Sequence, residues 1–223
     1  MKQVILSIFI AAVLWFVMFS PWTAPHLPFW HTMAASACFL TALAWFFGGS
    51  RYLRMKWNEV PLSILLGFII AAALWGIFWV GDKLSQVFFD FARPQVDTIY
   101  AMKSGFSPWV IGLLLLCVIG PAEELFWRGY VQRTLVQRLT GRYRRMPRAR
   151  ATQRARNWAF FVTTAAYTLI HLPSINFMLI MSALVCGIVW GGLYRLFPNR
   201  LPAIILSHAL WDAAVFVWFP ILQ

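Results

Sequence analysis

The chain has 223 residues, of which 61% are hydrophobic and only 12% are charged. A soluble domain carries about a quarter charged residues, so this composition excludes an ordinary water-soluble globule. The net charge of +12 would suit a nucleic-acid-binding protein if the basic side chains lined one soluble face. Ten of the fifteen arginines instead fall from Arg128 to Arg156, between apolar stretches, which argues against nucleic acid as a partner.

Seven apolar stretches have roughly the length that crosses ~30 Å of hydrocarbon as a helix. The sequence therefore predicts an all-α fold, a polytopic transmembrane helical bundle of about seven spans forming one membrane domain over residues 1–223. The first apolar run passes into Ser20 and Pro21 without a small-residue cleavage site, so it is interpreted as a retained span. The predicted spans are residues 4–19, 29–47, 60–80, 108–127, 158–172, 175–197 and 202–219.

The basic connectors all fall on one side of the membrane if these spans alternate. They are Lys2, residues 51–56, residues 128–156 and residues 195–200. The positive-inside rule then predicts a cytoplasmic N-terminus and a C-terminus outside. The short loops are typical of a bacterial cytoplasmic membrane protein, and the loop from Arg142 to Arg156 is suited to contact anionic lipid.

Two segments are predicted to lie along the membrane surface. Residues 82–92 carry apolar side chains at helical spacing, and residues 129–139 continue the fourth span as a basic amphipathic stretch. The fifth span is short, about 22 Å at ~1.5 Å per residue, and Pro173 discourages its continuation. A span that ends inside the membrane needs protein or a wet cavity around its freed backbone groups. We therefore expect a cavity beside His171.

Three of the seven acidic residues fall inside predicted spans: Glu123, Glu124 and Asp212. Each charged side chain at membrane depth raises the free energy of membrane insertion by at least ~2.5–3.5 kcal/mol, so it needs an oppositely charged partner or a functional role. Arg128 follows Glu124 by four positions, the spacing at which carboxylate and guanidinium meet on a helix. Glu123 points about 100° away around the helix and is left unpaired, which suits a general base. The alternative is that both glutamates only pair with arginines at the cytoplasmic border.

Two histidines each lie four positions from another polar residue on the same predicted helix. Tyr167 and His171 share a helix face, as do His208 and Asp212. A hydrogen bond to Asp212 would orient His208 and favour its protonated form, which can donate to a developing oxyanion. Together with Glu123 these side chains also offer oxygen and nitrogen ligands that zinc accepts. No HExxH spacing is present, and the sequence alone leaves zinc open.

Three motifs now stand in order: EExxxR from Glu123, YxxxH from Tyr167 and HxxxD from His208. In this order and setting the chain resembles the CPBP family of intramembrane proteases, which includes the CAAX prenyl endopeptidases and bacterial Abi-type proteins. The resemblance covers about residues 108–219, the predicted protease core, and leaves 1–107 as additional N-terminal spans. Tyrosine replaces the family's phenylalanine at 167, and its hydroxyl can hydrogen-bond in the site. Asp212 stands where the best-known members have asparagine.

The resemblance implies a metal-independent endopeptidase without a cofactor, acting on a membrane-associated peptide or protein. Glu123 would activate a water with the aid of His171, while His208 and Asp212 would stabilise the oxyanion. Supporting positions would be Glu124, Arg128 and Tyr167. The family cavity opens toward the cytoplasm, so the same opening is expected here.

Other functions fit the same residues. A membrane scaffold or bacteriocin-immunity protein would retain the motifs as structural contacts and would tolerate loss of the Glu123 carboxylate. A zinc-dependent intramembrane protease would need the metal. A transporter would use the buried carboxylates and histidines as a proton relay. Transporters of this kind show paired broken helices in two repeated halves, and only one short span is predicted here.

Overall fold

A computed structural model describes residues 1–48 and 57–221, and within these residues the chain is helical with no strand. This confirms the predicted all-α fold. The predicted basic connector at 51–56 lies outside the described residues. The helices are α1 Lys2–Phe19, α2 Phe29–Gly48, α3 Val60–Phe88, α4 Ala92–Ala101, α5 Pro108–Arg142, α6 Arg148–Leu169, α7 Phe177–Leu196 and α8 Leu201–Ala213.

Six helical segments in the described ranges are long and apolar enough to cross a membrane, which confirms the polytopic helical bundle. They are Lys2–Phe19, Phe29–Gly48, Trp57–Phe88, Pro108–Arg142, Phe177–Leu196 and Pro198–Trp218. Helix α6 is not among them, because its first half carries the arginines that precede Trp158. The count of seven spans and the sides of the two termini stay predictions.

Helix α3 differs from the sequence prediction. The prediction of a surface helix at 82–92, separate from the span at 60–80, is wrong. Helix α3 runs without a break to Phe88, and a new helix begins at Ala92. Gly81 alone does not end a helix, and no proline follows it before the break. The continuation buries Asp82, whose Oδ2 accepts a hydrogen bond from Gln86 Nε2 at 2.6 Å.

Helix α6 begins ten residues earlier than the span predicted at 158–172. Alanine and arginine, both strong helix formers, continue the helix through the basic segment from Arg148. The helix ends at Leu169, so His171 lies in the turn beyond it rather than in its last turn, as was predicted. Pro173 follows in a single helical turn, and Asn176 caps α7 by accepting a hydrogen bond from the backbone N–H of the third residue of that helix.

Helix α5 continues through Arg142, as predicted for residues 129–139. It contains two π-helical stretches, Leu115–Ile119 and Leu125–Gln132, on either side of the short α-helical segment Gly120–Glu124. A third π-helical stretch, Ala214–Trp218, extends α8. Such stretches are rare and often mark functional sites; here they flank the acidic residues of the membrane helices.

The bundle has a basic end, which contains the start of α1, the end of α2 and the α5–α6 and α7–α8 connections. Two contacts join α5, α6 and α7 near this end: Gln132 Nε2 donates to the Gly191 carbonyl at 2.9 Å, and Arg195 Nε donates to Asn157 Oδ1 at 2.8 Å. Glu59 is its one carboxylate in the described residues. Its basic residues are Lys2, Arg133, Arg138, Arg142, Arg144, Arg145, Arg148, Arg150, Arg154, Arg156, Arg195 and Arg200.

The opposite, neutral end contains the end of α1, the start of α2, the end of α3, all of α4 and the start of α7. Trp30 Nε1 donates to the Met102 carbonyl at 2.9 Å, and Asn176 Nδ2 donates to the Gln95 carbonyl at 2.9 Å. Three acidic and three basic residues balance here: Asp82, Lys83, Asp90, Arg93, Asp97 and Lys103. The charge of the described chain is thus concentrated at one end of the bundle.

Candidate active site

The site forms where α5 and α8 approach each other closely at Gly120. A Cβ atom at Gly120 would lie 2.8 Å from the Cα and 2.9 Å from the backbone nitrogen of Ala209. Small residues allow membrane helices to approach this closely. The contact sets Glu123 and Glu124, one turn along α5, opposite His208, the neighbour of Ala209 on α8.

Glu124 accepts two hydrogen bonds on one oxygen. Its Oε1 lies 2.7 Å from Arg128 Nη1 and 2.8 Å from His208 Nδ1. The contact with Arg128 is the one that the sequence spacing predicted, whereas the contact with His208 was not predicted. Glu124 is 0% and Arg128 1% exposed. Charges buried this deeply are tolerated when they are paired and hydrogen-bonded.

The ring of His208 is fixed on one edge and one face. Glu124 holds Nδ1, and the Trp190 indole stacks on the imidazole with ring centroids 3.8 Å apart and planes 19° apart. Nε2 lies 3.4 Å from Asp212 Oδ2, a longer contact than the one to Glu124. Asp212, which the sequence indicated as the orienting partner, is therefore the weaker of the two. Trp190 lies in an apolar stretch of α7, and nothing in the sequence distinguished it from a core residue.

Glu123 has a different setting from its neighbour. Its Oε2 accepts a hydrogen bond from the Tyr167 hydroxyl at 3.1 Å, as the substitution of tyrosine in the motif led us to expect. Among the described residues no cationic group lies within 4.0 Å of its carboxylate. The Arg128 guanidinium instead lies 5.0 Å from the Tyr167 ring centroid, on the Glu124 side of the site. Glu123 is therefore the glutamate that no ion pair holds.

His171 is held on the cavity wall by two hydrogen bonds. Its Nδ1 lies 2.8 Å from the Tyr167 carbonyl, and its Nε2 lies 3.1 Å from Trp15 Nε1. Because the carbonyl only accepts and the indole N–H only donates, Nδ1 donates and Nε2 accepts. Trp15 belongs to α1, outside every motif, and sequence reasoning missed it. Neither ring nitrogen contacts Glu123, and the Tyr167 side chain touches both residues.

An apolar cavity of about 500 Å³ brings the predicted catalytic residues together. Glu123, His171, His208 and Asp212 line it, whereas Glu124 and Arg128 lie behind its wall. Asp82 also lines this cavity, although the sequence placed it in a surface segment. The other lining side chains are mostly apolar. Most come from the halves of α1, α2, α3, α5, α6, α7 and α8 nearer the neutral end, together with α4, whereas Trp190 lies in the second half of α7.

The side chains considered as zinc ligands do not form a zinc-binding site in the structure; they are Glu123, His171, His208 and Asp212. Within residues 1–48 and 57–221, no group of three or more histidine, cysteine, aspartate and glutamate side chains is placed to hold a metal ion. Both nitrogens of His171 are already engaged, and one nitrogen of His208 is bonded to Glu124. A zinc ion would need these hydrogen bonds to be replaced.

A buried set of carboxylates and histidines inside an apolar helical bundle marks a functional site of a membrane protein. The family model of the type II CAAX prenyl endopeptidase Rce1-like proteins matches residues 105–214, about half of the chain and all three motifs. The chain belongs to this Rce1-like family of CAAX-type intramembrane endopeptidases and is a multi-pass membrane protein. No curated protein and no solved structure matches it significantly.

Proposed function

We propose that the chain hydrolyses a peptide bond of a membrane-associated peptide or protein with a water that Glu123 activates. The observation that carries this proposal is the contrast between two adjacent glutamates. Glu124 binds Arg128 and His208 behind the cavity wall, whereas Glu123 lines the cavity and, within residues 1–48 and 57–221, has a hydrogen bond from the Tyr167 hydroxyl alone. A general base must have an oxygen free to accept a proton from water beside the substrate.

In the proposed reaction the water gives a proton to Glu123 while its oxygen bonds to the peptide carbonyl carbon. The carbonyl oxygen becomes an oxyanion. When the carbon–nitrogen bond breaks, Glu123 returns the proton to the leaving nitrogen, so the carboxylate ends the cycle as it began.

We assign the oxyanion contact to His208 Nε2. Glu124 holds the opposite nitrogen, so the ring is oriented before substrate binds. The contact of Nε2 with Asp212 is long, 3.4 Å, and can be exchanged for a contact with the oxyanion. Asp212 then balances the charge of the imidazolium. This preorganised donor supplies the electrostatic stabilisation, and Trp190 keeps the ring from turning.

We assign His171 a supporting part in water activation. It lines the same cavity as Glu123, and Trp15 occupies its Nε2. The role therefore requires a water to take the place of the Trp15 N–H. The conservative variant Trp15→Phe removes that donor and keeps an aromatic ring, so cleavage is expected to persist in Trp15→Phe and to fall in His171→Ala.

The substrate we propose is an apolar or lipid-attached peptide, because the cavity is lined mainly by apolar side chains. A prenylated CAAX peptide is the substrate that the family description names. We place the chain in the bacterial cytoplasmic membrane. We also propose that the segment from Arg142 to Arg156 contacts anionic headgroups, at about 1 kcal/mol per basic residue near the surface.

The test uses purified wild type and Glu123→Gln, each with and without a strong chelator. The substrates are a farnesylated CAAX-type peptide and an unprenylated apolar peptide in lipid vesicles. We expect wild type to cleave at least one peptide, Glu123→Gln to cleave neither, and the chelator to change nothing. Cleavage by Glu123→Gln would contradict the proposal. Loss of activity on chelation with recovery on adding zinc would favour the zinc-dependent alternative, and cleavage by neither protein would favour the scaffold.

A further inference from the structure

One carboxylate of the cavity wall has no part in the proposed reaction. Asp82 lines the apolar space together with Glu123, His208 and Asp212, and it is 7% exposed. It belongs to the second half of α3, which continues without a break past the end of the predicted span. A charged side chain buried at membrane depth needs an oppositely charged partner or a functional role.

The Asp82 carboxylate has one hydrogen-bond partner in the described ranges. Its Oδ2 accepts from Gln86 Nε2 at 2.6 Å, whereas Oδ1 accepts no hydrogen bond from residues 1–48 and 57–221. No cationic group of these residues lies within 4.0 Å of the carboxylate. A buried charge that has only a neutral amide as its partner is costly, and a cation bound beside it offsets that cost.

The basic side chains of the neutral end are placed elsewhere. Arg93 pairs with Asp97 at 3.5 Å on the exposed face of α4. The Lys103 ammonium lies over the Tyr100 ring, 4.7 Å from the ring centroid. Lys83, the next residue along α3, is exposed and does not line the cavity. The described part of the chain therefore supplies no cation to the Asp82 carboxylate.

Tyr100 gives the level of Asp82 in the bundle. Both side chains line the cavity. Burial raises the pKa of the Tyr100 hydroxyl, its backbone hydrogen bond with Ile221 lowers it, and the negative charge of Asp82 raises it, so the carboxylate lies near this hydroxyl. The same hydroxyl donates to the Val215 carbonyl at 2.9 Å, in the π-helical stretch that extends α8. Asp82 is therefore close to the level of Val215.

The distance from this level to the reacting groups suits a short stretch of peptide. Val215 follows His208 by seven positions, which is about 10 Å along a helix at ~1.5 Å per residue. An extended peptide advances about 3.3 Å per residue, so about three residues cover this distance. A peptide whose carbonyl contacts His208 Nε2 thus brings a side chain about three residues away to Asp82.

We propose that Asp82 binds the ammonium or guanidinium group of a lysine or arginine side chain of the substrate. This inference rests on the proposed function and narrows its substrate class to an apolar peptide with one basic residue near the cleaved bond. Phe78 and Trp211, whose ring centroids lie 4.6 Å apart, provide apolar surface on the cavity wall for the methylene groups of that side chain. Asp82 belongs to no group of metal ligands in the described ranges, which favours an organic cation over a metal ion.

Two matched peptides test this subsite without any need for cleavage. A short leucine–alanine peptide with both ends capped carries either one lysine or, at the same position, norleucine, which has no charge. The lysine position is moved along the peptide one residue at a time. The protein is full-length Glu123→Gln in mixed micelles, because this variant lacks both the proposed base and a competing cavity charge. Affinity is measured by fluorescence anisotropy of peptides that carry a neutral dye.

We expect the best lysine peptide to bind at least about tenfold more tightly than its norleucine match, as for a hydrogen bond to a charged group. Adding Asp82→Asn should abolish this preference and leave the affinity for the norleucine peptide unchanged. Adding Asp82→Glu, which keeps the carboxylate, should retain the preference. The matched control is Asp90→Asn, the same change at an exposed residue that does not line the cavity, and it should have no effect.

Equal affinities for the two peptides at every position, binding of neither, or a lysine preference that Asp82→Asn retains would overturn the inference. Weaker binding of the norleucine peptide by both Asp82→Asn and Asp82→Glu would also overturn it, because Asp82 would then act on the structure of the cavity. The cleavage assay of Glu123→Gln is separate from these measurements. A failed subsite leaves the proposed chemistry standing, and a failed chemistry leaves the binding preference measurable.

Discussion

The two adjacent glutamates provide the sharpest prediction, because Glu123→Gln and Glu124→Gln are the same chemical change one residue apart. In Glu124→Gln the buried Arg128 and His208 lose the carboxylate that both contact, at 2.7 and 2.8 Å. Removing one partner of a buried ion pair costs about 3–5 kcal/mol. In Glu123→Gln the amide oxygen can still accept from the Tyr167 hydroxyl, so the loss is at most one hydrogen bond, about 0.5–1.5 kcal/mol.

The assay is the free energy of unfolding of wild type and both variants, measured by SDS titration in mixed micelles. Glu124→Gln is expected to shift the folding equilibrium by roughly two to four powers of ten, at ~1.4 kcal/mol for each tenfold. Glu123→Gln should shift it by about tenfold or less on the same scale. Equal destabilisation by the two variants, or a Glu124→Gln protein as stable as wild type, would refute the division of roles between them.

Two further variants probe the positioning of the catalytic groups. Tyr167→Phe removes the hydroxyl bound to Glu123 at 3.1 Å and restores the family's residue. Because one hydrogen bond is lost, kcat/KM should stay within about tenfold of wild type. Complete loss of cleavage would mean that the hydroxyl takes part in the chemistry. Gly120→Ala places a methyl group 2.8 Å from the Ala209 backbone and should cost about 1–3 kcal/mol of unfolding free energy by overpacking, together with a loss of activity. The matched control is Gly112→Ala, whose Cβ would find its nearest neighbour at 3.6 Å; equal effects of the two alanines would contradict the close-approach explanation.

Local spacing predicted the contacts that lie within one helix. The interval of four between Glu124 and Arg128 gave their ion pair, and the interval of four between His208 and Asp212 gave their contact. Long apolar stretches similarly predicted the helices of the bundle. These features follow from helix geometry alone, so no knowledge of the tertiary structure was needed.

Contacts between distant helices were not available from the sequence. Glu124 reaches His208 across 84 positions, and Trp15 reaches His171 across 156. Such pairs depend on how the helices pack against each other. The local sequence around a tryptophan in an apolar stretch is the same whether its side chain only fills the core or also donates a hydrogen bond to a histidine. The start of α6 was misplaced because hydropathy ends at Trp158, whereas helix propensity continues back to Arg148.

The central claim is that Glu123 activates a water rather than attacking the peptide itself. A single-turnover cleavage in ¹⁸O-labelled water, with enzyme in excess and mass spectrometry of the new carboxyl terminus, tests this claim most directly. The account predicts one ¹⁸O atom in the carboxylate formed in the first turnover, because the attacking oxygen comes from water. A first-turnover product without ¹⁸O would show that the oxygen came from an enzyme carboxylate, and would contradict the account.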